Sequence, residues 1–319
     1  MKDATSIRIV FMGTPGFAAG VLEHLVQSRY NIVGVITAPD KPAGRGLDVQ
    51  ESDVKKIAMK HSLKILQPEK LKNPEFLNEL KSINADLQIV VAFRMLPEVV
   101  WQMPPMGTFN LHASLLPDYR GAAPINRAIM NGEKLSGITT FFLQQEIDTG
   151  NILLRKEIPI GENMNAGELH DEMMNSGSLL VAQTIDGIAE KKLKPLPQSE
   201  YKTEGKKLNE APKIFKDDCR INWQWSAKKI HDHIRGLSPY PAAWTELKQE
   251  NEILTIKIYK ASYSIELHDL TPGTIVDGMR IATTDGFIHI NELQSPGKKK
   301  MDVKSWLNGF RLENDATFR

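Results

Sequence analysis

Hydrophobic and polar positions follow two regimes along the chain. In the first part, apolar runs alternate with amphipathic stretches. Residues 7–12 form an apolar run closed by Gly13-Thr14-Pro15-Gly16, after which Phe17, Val21, Leu22, Leu25 and Val26 recur at helical spacing. Residues 32–37 read as a second strand. A helix is predicted over 52–61, with Ser52 placed to cap it, and another over 74–82, where proline suits a helix start. Residues 87–93 are continuously apolar, as buried parallel strands tend to be, and 108–111 and 138–143 supply two more. This alternation predicts an α/β domain: an open, mostly parallel sheet covered by helices, which binds ligands beyond the carboxyl ends of its strands.

The pattern breaks near residue 190. From Lys191 to Lys207 the chain carries six lysines and two prolines with no apolar periodicity, and reads as a basic linker. Beyond it, one helix is predicted over 226–235, and short strands over 243–247, 253–259, 273–276, 280–282 and 287–293. A handful of short strands in about a hundred residues predicts a small β-barrel such as an OB-fold. The expected organisation is therefore an α/β domain at 1–190, a linker at 191–207 and a barrel domain at 208–319.

Composition changes this picture in two places. The chain has 319 residues and a net charge of only +1, but the charge is uneven. Residues 1–190 hold 18 basic and 22 acidic side chains; residues 191–319 hold 22 and 17. A basic back part suits a polyanionic partner. The single cysteine, Cys219, excludes an internal disulfide and a cysteine metal cluster. The first apolar run is too short for a signal peptide, and no stretch approaches the roughly 20 apolar residues of a membrane span, so a cytoplasmic protein is expected.

The candidate chemistry concentrates after the strand at 108–111. Strand alternation puts Asn110 and His112 on one face, and an amide beside an imidazole can grip a carbonyl oxygen that gains negative charge. On residues alone, His112 could also be a core histidine with its hydrogen bonds satisfied. Its adjoining loop favours a site, because Ser114, Pro117, Asp118, Tyr119, Arg120 and Gly121 crowd it. Asp148, before Thr149-Gly150, is either a turn residue or a carboxylate partner for His112. The Gly13–Gly16 turn lacks the glycine spacing of a dinucleotide fold, and Pro15 removes an N–H that would face phosphate. The histidines are scattered without metal-ligand spacing, so no metal is expected. Residues 38–46 read as a surface excursion or as a mobile basic finger. Lys298–Lys300 read as a solvated turn or a phosphate contact, and Trp223, Trp225 and Trp244 as core.

Several stretches resemble the folate-dependent formyltransferase family over essentially the whole chain. They are Phe11-Met12-Gly13-Thr14-Pro15, Asp40 through Gly46, Asn110 through Pro117, Tyr119 through Ile125, and Asp148-Thr149-Gly150. The Asn-x-His…Asp set marks the wider family. The Pro-Ala-Gly-Arg-Gly loop, the Arg-Gly-Ala-Ala-Pro run and the basic C-terminal part narrow the resemblance to its tRNA-formylating branch. The resemblance implies a Rossmann-like catalytic domain followed by an OB-like barrel. It also implies 10-formyltetrahydrofolate as formyl donor, initiator methionyl-tRNA as acceptor, and a bacterial source; a monomer is expected. Within it, Asn110, His112 and Asp148 are the catalytic set. Ser114, Leu115, Leu116, Pro117 and Phe93 belong to the folate pocket, and Arg45, Lys41, Lys206 and Lys207 meet the tRNA.

The chain departs from the family pattern in three places: Gly16 stands where Asp is common, Lys41 where Arg is common, and Phe93-Arg94-Met95 replaces a Tyr-Gly-containing segment. Rival readings are formyl transfer to a glycinamide nucleotide or an amino sugar, a non-catalytic RNA-binding module, and a dinucleotide oxidoreductase. A small acceptor has no need of a basic barrel, an unaltered catalytic set argues against the second, and the missing glycine fingerprint against the third.

Overall fold

The computed structural model describes residues 3–43, 48–201, 207–250 and 252–319. The chain divides into two compact units. One comprises Met1–Gly121, Ser136–Ile158 and His170–Glu210; the other comprises Ala122–Leu135, Pro159–Leu169 and Ala211–Arg319.

The first unit is built on a seven-stranded sheet. Its strands in chain order are β1 (Ile9–Gly13), β2 (Ile32–Ile36), β3 (Ile65–Leu66), β4 (Leu87–Val91), β5 (Thr108–His112), β6 (Leu135–Phe142) and β7 (Ile152–Pro159). The spatial order is β7-β6-β5-β4-β1-β2-β3. β1, β2, β3, β4 and β5 run parallel, and β6 lies antiparallel beside β5, so the sheet is mostly parallel as expected. Every residue of β1 and β4 is buried, which explains their unbroken apolar character. Helix α1 (Gly16–Gln27) buries Phe17, Val21, Leu22 and Leu25, the face predicted from spacing. Ser52 accepts from the Lys55 amide at 3.0 Å and starts α2 (Asp53–Lys60). Asn73 accepts from the Glu75 amide at 2.9 Å before α3 (Pro74–Ser82).

The two longest elements that escaped the sequence reading are β7 and the helix Ala166–Ala189. The helix is announced by a reciprocal cap in which the Glu168 amide donates to Asn165 Oδ1 (3.0 Å) and the Asn165 amide to Glu168 Oε2 (2.8 Å). An Asn-x-x-Glu pair before an apolar stretch was the available signal.

The second unit carries an antiparallel sheet curled on itself. Its strands are β8 (Ala243–Gln249), β9 (Glu252–Ile265), β10 (Ile275–Val276), β11 (Arg280–Ala282), β12 (Gly286–Gln294), β13 (Met301–Asp302) and β14 (Thr317–Phe318). The path runs β10-β11-β12-β9-β8-β14, with β13 added on β12. Its two ends meet: Thr274 bridges Thr317, and the Phe318 amide donates to Gly273 O at 2.9 Å. A register shift near Lys260 bends the long β9, the usual device for turning a barrel corner. The helix Ala227–Leu237 packs on this barrel through Ile230, Ile234 and Leu237. Trp223 is core, as expected. Trp225 and Trp244 are only half-buried, with Lys229 over the first ring at 4.3 Å and Arg220 over the second at 5.3 Å. Among the described residues no helix is long and apolar enough to cross a membrane, and no group of three or more His, Cys, Asp or Glu could hold a metal.

Candidate active site

Asn110 and His112 end β5, at the carboxyl edge of the parallel strands. Gly121 and Asp148 are brought to the same place by the two loops that follow. His112 is 7% exposed; its Nε2 lies 2.9 Å from Tyr119 O and its Nδ1 lies 3.8 Å from Asp148 Oδ2. A carbonyl oxygen only accepts, so Nε2 carries the proton. In the neutral ring, Nδ1 is then a lone pair facing a carboxylate oxygen. At 3.8 Å these two acceptors make no direct hydrogen bond. A group with two N–H protons, placed to one side of the pair, could donate to both.

Asp148 adopts φ 54°, a left-handed conformation uncommon for residues other than glycine, and its Oδ2 accepts from the Gly121 amide at 3.1 Å. Among the described residues no lysine or arginine pairs with it. Gly150, two residues on, is forced by space: a Cβ there would lie 1.6 Å from Phe142 O. The Asp-Thr-Gly triplet is thus a loop whose glycine lets the backbone pass close to β6 while its aspartate turns back toward β5.

The amide of Asn110 completes the site. Its Oδ1 is buried and, among the described residues, has no hydrogen-bond partner. An unpaired buried amide oxygen costs roughly 1–3 kcal/mol, and a 180° turn of the amide would present its two N–H donors instead. A buried polar group left unpaired beside a histidine–carboxylate pair is a position awaiting a ligand's polar atoms.

The loop between His112 and Arg120 is rigid. Thr139 Oγ1 donates to Ser114 O at 2.7 Å and accepts from the Leu116 amide at 3.2 Å. Ser114 is fully buried, and its hydroxyl donates to Asp118 O at 2.6 Å, so its side chain holds the loop rather than facing outward. Leu116 is also fully buried, against Phe141 and Ile152. Pro117 is buried, and Leu115 is half-buried close to Gly137. Phe93 lies two residues beyond the end of β4, half-buried against the sheet, with the Arg94 guanidinium 5.6 Å from its ring centre. Arg94 Nη1 donates to Glu69 O at 2.8 Å, and burial lowers its pKa. Lys41 and Lys207 are exposed; Arg45 and Lys206 lie outside the described residues.

The sequence reading missed Gln198. It is 5% exposed and bonded to both loops: Arg120 donates to its Oε1, and its Nε2 donates to Asp148 O (2.8 Å) and Gly150 O (3.0 Å). The basic, proline-rich character of residues 191–207 masked it. Leu196 and Ile152 exchange backbone hydrogen bonds of 3.0 and 2.8 Å, so this part of the segment is stitched to β7.

Comparison with known proteins bears on this geometry. Residues 7–185 match the family described as formyl transferase, and residues 213–311 its C-terminal domain. A methionyl-tRNA formyltransferase of Bacteroides fragilis is 55% identical over 311 residues, covering 96% of each chain. That of Flavobacterium johnsoniae is 51% identical over 313 residues, covering 97% of this chain and 98% of the other. Among solved structures, the sugar 3N-formyl transferase WlaRD, determined with dTDP and 5-N-formyl-THF, superposes with a TM-score of 0.65 at 22% identity, covering 92% of this chain and 99% of that one. HypX from Aquifex aeolicus, in complex with tetrahydrofolic acid, gives 0.63 at 18% identity, covering 98% of this chain and 51% of its own. At these identities the two structures speak for the fold.

Proposed function

From the premise that the chain belongs to the formyl transferase family, we propose that Asn110, His112 and Asp148 carry out its reaction at the carboxyl end of β5. The enzyme formylates the α-amino group of initiator methionyl-tRNA with 10-formyltetrahydrofolate as donor. The donor supplies an activated formyl carbonyl, and the acceptor an amine. An α-amino group titrates near about 7.7–8.0, so a useful fraction is neutral at working pH and a strong base is unnecessary.

The observation that carries this assignment is the unpaired Asn110 Oδ1 on the strand end that holds His112, whose Nδ1 lies 3.8 Å from Asp148 Oδ2. Asn110, with its N–H donors turned inward, holds the oxygen of the formyl group as it becomes an oxyanion. The attacking nitrogen approaches His112 Nδ1 and Asp148 Oδ2 from one side and donates an N–H to each, which orients it. As the new C–N bond forms, Nδ1 takes the proton that the nitrogen sheds. The ring is then cationic, held by Tyr119 O on one side and Asp148 on the other, and its charge steadies the oxyanion. The same proton passes to the departing folate nitrogen when that C–N bond breaks, which returns His112 to its neutral form.

The rigid turn of Ser114, Leu115, Leu116 and Pro117, together with Phe93, forms the wall against which the folate lies; the buried Ser114 and Leu116 shape it from behind. Lys41, Arg45, Lys206 and Lys207 contact the tRNA, and the barrel, within a domain at 208–319 joined by the linker at 191–207, adds phosphate contacts. The enzyme works as a monomer in the cytoplasm, where translation starts. In an assay of N-formylmethionine on charged initiator tRNA, Asn110→Ala is expected to slow turnover by about 10²–10³-fold with the fold intact. Near wild-type turnover in both Asn110→Ala and His112→Ala would sink the assignment. The affinity for tRNA is expected to fall steeply as salt rises; a flat dependence would remove the basic segment from the tRNA site.

A further inference from the structure

We propose that Gln198 is the positioning residue of the Asp148 carboxylate, so that the segment read as a linker is part of the catalytic centre. The inference rests on the role given to Asp148 above. A glutamine amide has two donors and two acceptor lone pairs, and Gln198 commits all four. Both acceptor positions are taken by Arg120, through Nε at 3.1 Å and through Nη2. Both donors go to the Asp148 loop, to the carbonyls of Asp148 and Gly150. This fixes the orientation of the amide, because a flipped group would set its N–H against guanidinium N–H and its oxygen against two carbonyls.

The two loops it joins are the two that frame His112. Arg120 precedes Gly121, whose amide holds Asp148 Oδ2. Asp148 is itself in a left-handed conformation, which persists only where its surroundings over-determine it. With Gln198 in place, the Asp148 backbone is pinned from one side and its carboxylate from the other. Gln198 is held in turn by its own segment. Leu196 pairs with Ile152, and Tyr201 packs on the Leu116, Phe141 and Ile152 cluster with Arg155 over its ring at 4.6 Å. Gln198 has no path to substrate through these contacts; it acts by keeping Asp148 at its distance from His112.

The test uses the full-length enzyme and three variants. Gln198→Met keeps length and removes all four bonds. Gln198→Glu keeps the acceptors for Arg120 but replaces the donors with a carboxylate oxygen facing two carbonyls. Asp148→Asn reports on the site itself. Misplacing a reacting group by about 1 Å costs on the order of 10²-fold. Both Gln198 variants are therefore expected to lose about that much in kcat, with KM for donor and tRNA unchanged and with an altered pH profile of kcat. A full kcat in Gln198→Glu beside a slow Gln198→Met would mean that anchoring to Arg120 is what matters, and overturns the proposal. So would a change in KM alone, or wild-type kcat in both variants while Asp148→Asn is inactive. If Asp148→Asn retains full turnover, it is the reading of the site that fails. Thermal melting of each variant separates a lost fold from a lost alignment, and Gln198→Glu, which keeps the Arg120 contact, covers the case in which Gln198→Met does not fold.

Discussion

Among the described residues, two buried histidines lie at nearly the same separation from an aspartate, and only one pair has the marks of a reaction centre. His112 Nδ1 is 3.8 Å from Asp148; His231 Nδ1 is 3.9 Å from Asp232. The difference is in what else each aspartate holds. Asp232 is neutralised: Arg235 contacts its Oδ1 at 2.8 Å through Nε, and Lys228 contacts its Oδ2 at 2.7 Å. The Arg235 guanidinium continues to Met164 O at 2.8 Å, so the cluster fastens a helix to a neighbouring turn. Asp148 accepts from a backbone amide and, among the described residues, has no cationic side chain on it, so its charge is left for His112 and for whatever binds to both. A His–Asp distance alone therefore identifies nothing; the remaining commitments of the carboxylate decide.

The largest expected effect breaks the second pair. Arg235→Met leaves Asp232 buried with one exposed lysine as counter-ion, and removing one partner of a buried pair costs about 3–5 kcal/mol. Urea unfolding followed by circular dichroism should show that loss, while turnover per folded molecule stays near wild type. A normal midpoint with collapsed turnover would instead make the second pair a functional one and erase the contrast drawn here.

The same contrast marks what a sequence can convey. The parallel sheet was legible because β1 and β4 are buried on both faces, and the helix face of Phe17, Val21, Leu22 and Leu25 because one side of that helix meets the core. Asn110 and His112 were legible because strand alternation fixes their common side. The approach of Asp148 was not, since it depends on a left-handed residue and on a glycine pressed against Phe142 O. Gln198 was hidden for another reason. A lone glutamine among lysines and prolines carries no local pattern, and its three partner residues lie 48, 50 and 78 positions away. Leu116 was singled out for its place beside the catalytic stretch; that it packs beneath the turn, against Phe141 and Ile152, depends on contacts with distant strands that no local pattern carries.

A second prediction, of similar or smaller size, concerns acid. His233 neighbours Asp232 in the chain but shares none of its ion pairs. Burial is the main cause that holds its pKa down at about 4, with Arg127 and Lys229 adding to the effect and the Cys219 carbonyl and Asp218 opposing it. Burial also lowers His231, against the pull of Asp232. A histidine depressed in the fold binds its proton more readily once unfolded. Between about pH 6.5 and 4 the unfolded chain therefore holds more protons, and stability falls as pH falls through that window. A shift from 6.5 to about 4 corresponds to about 3 kcal/mol for His233 at the acid end. Urea midpoints measured across the window should decline toward acid, and His233→Leu should flatten the decline without changing kcat at neutral pH. If the decline is the same in His233→Leu, the proton goes elsewhere, and His231 carries the acid sensitivity instead.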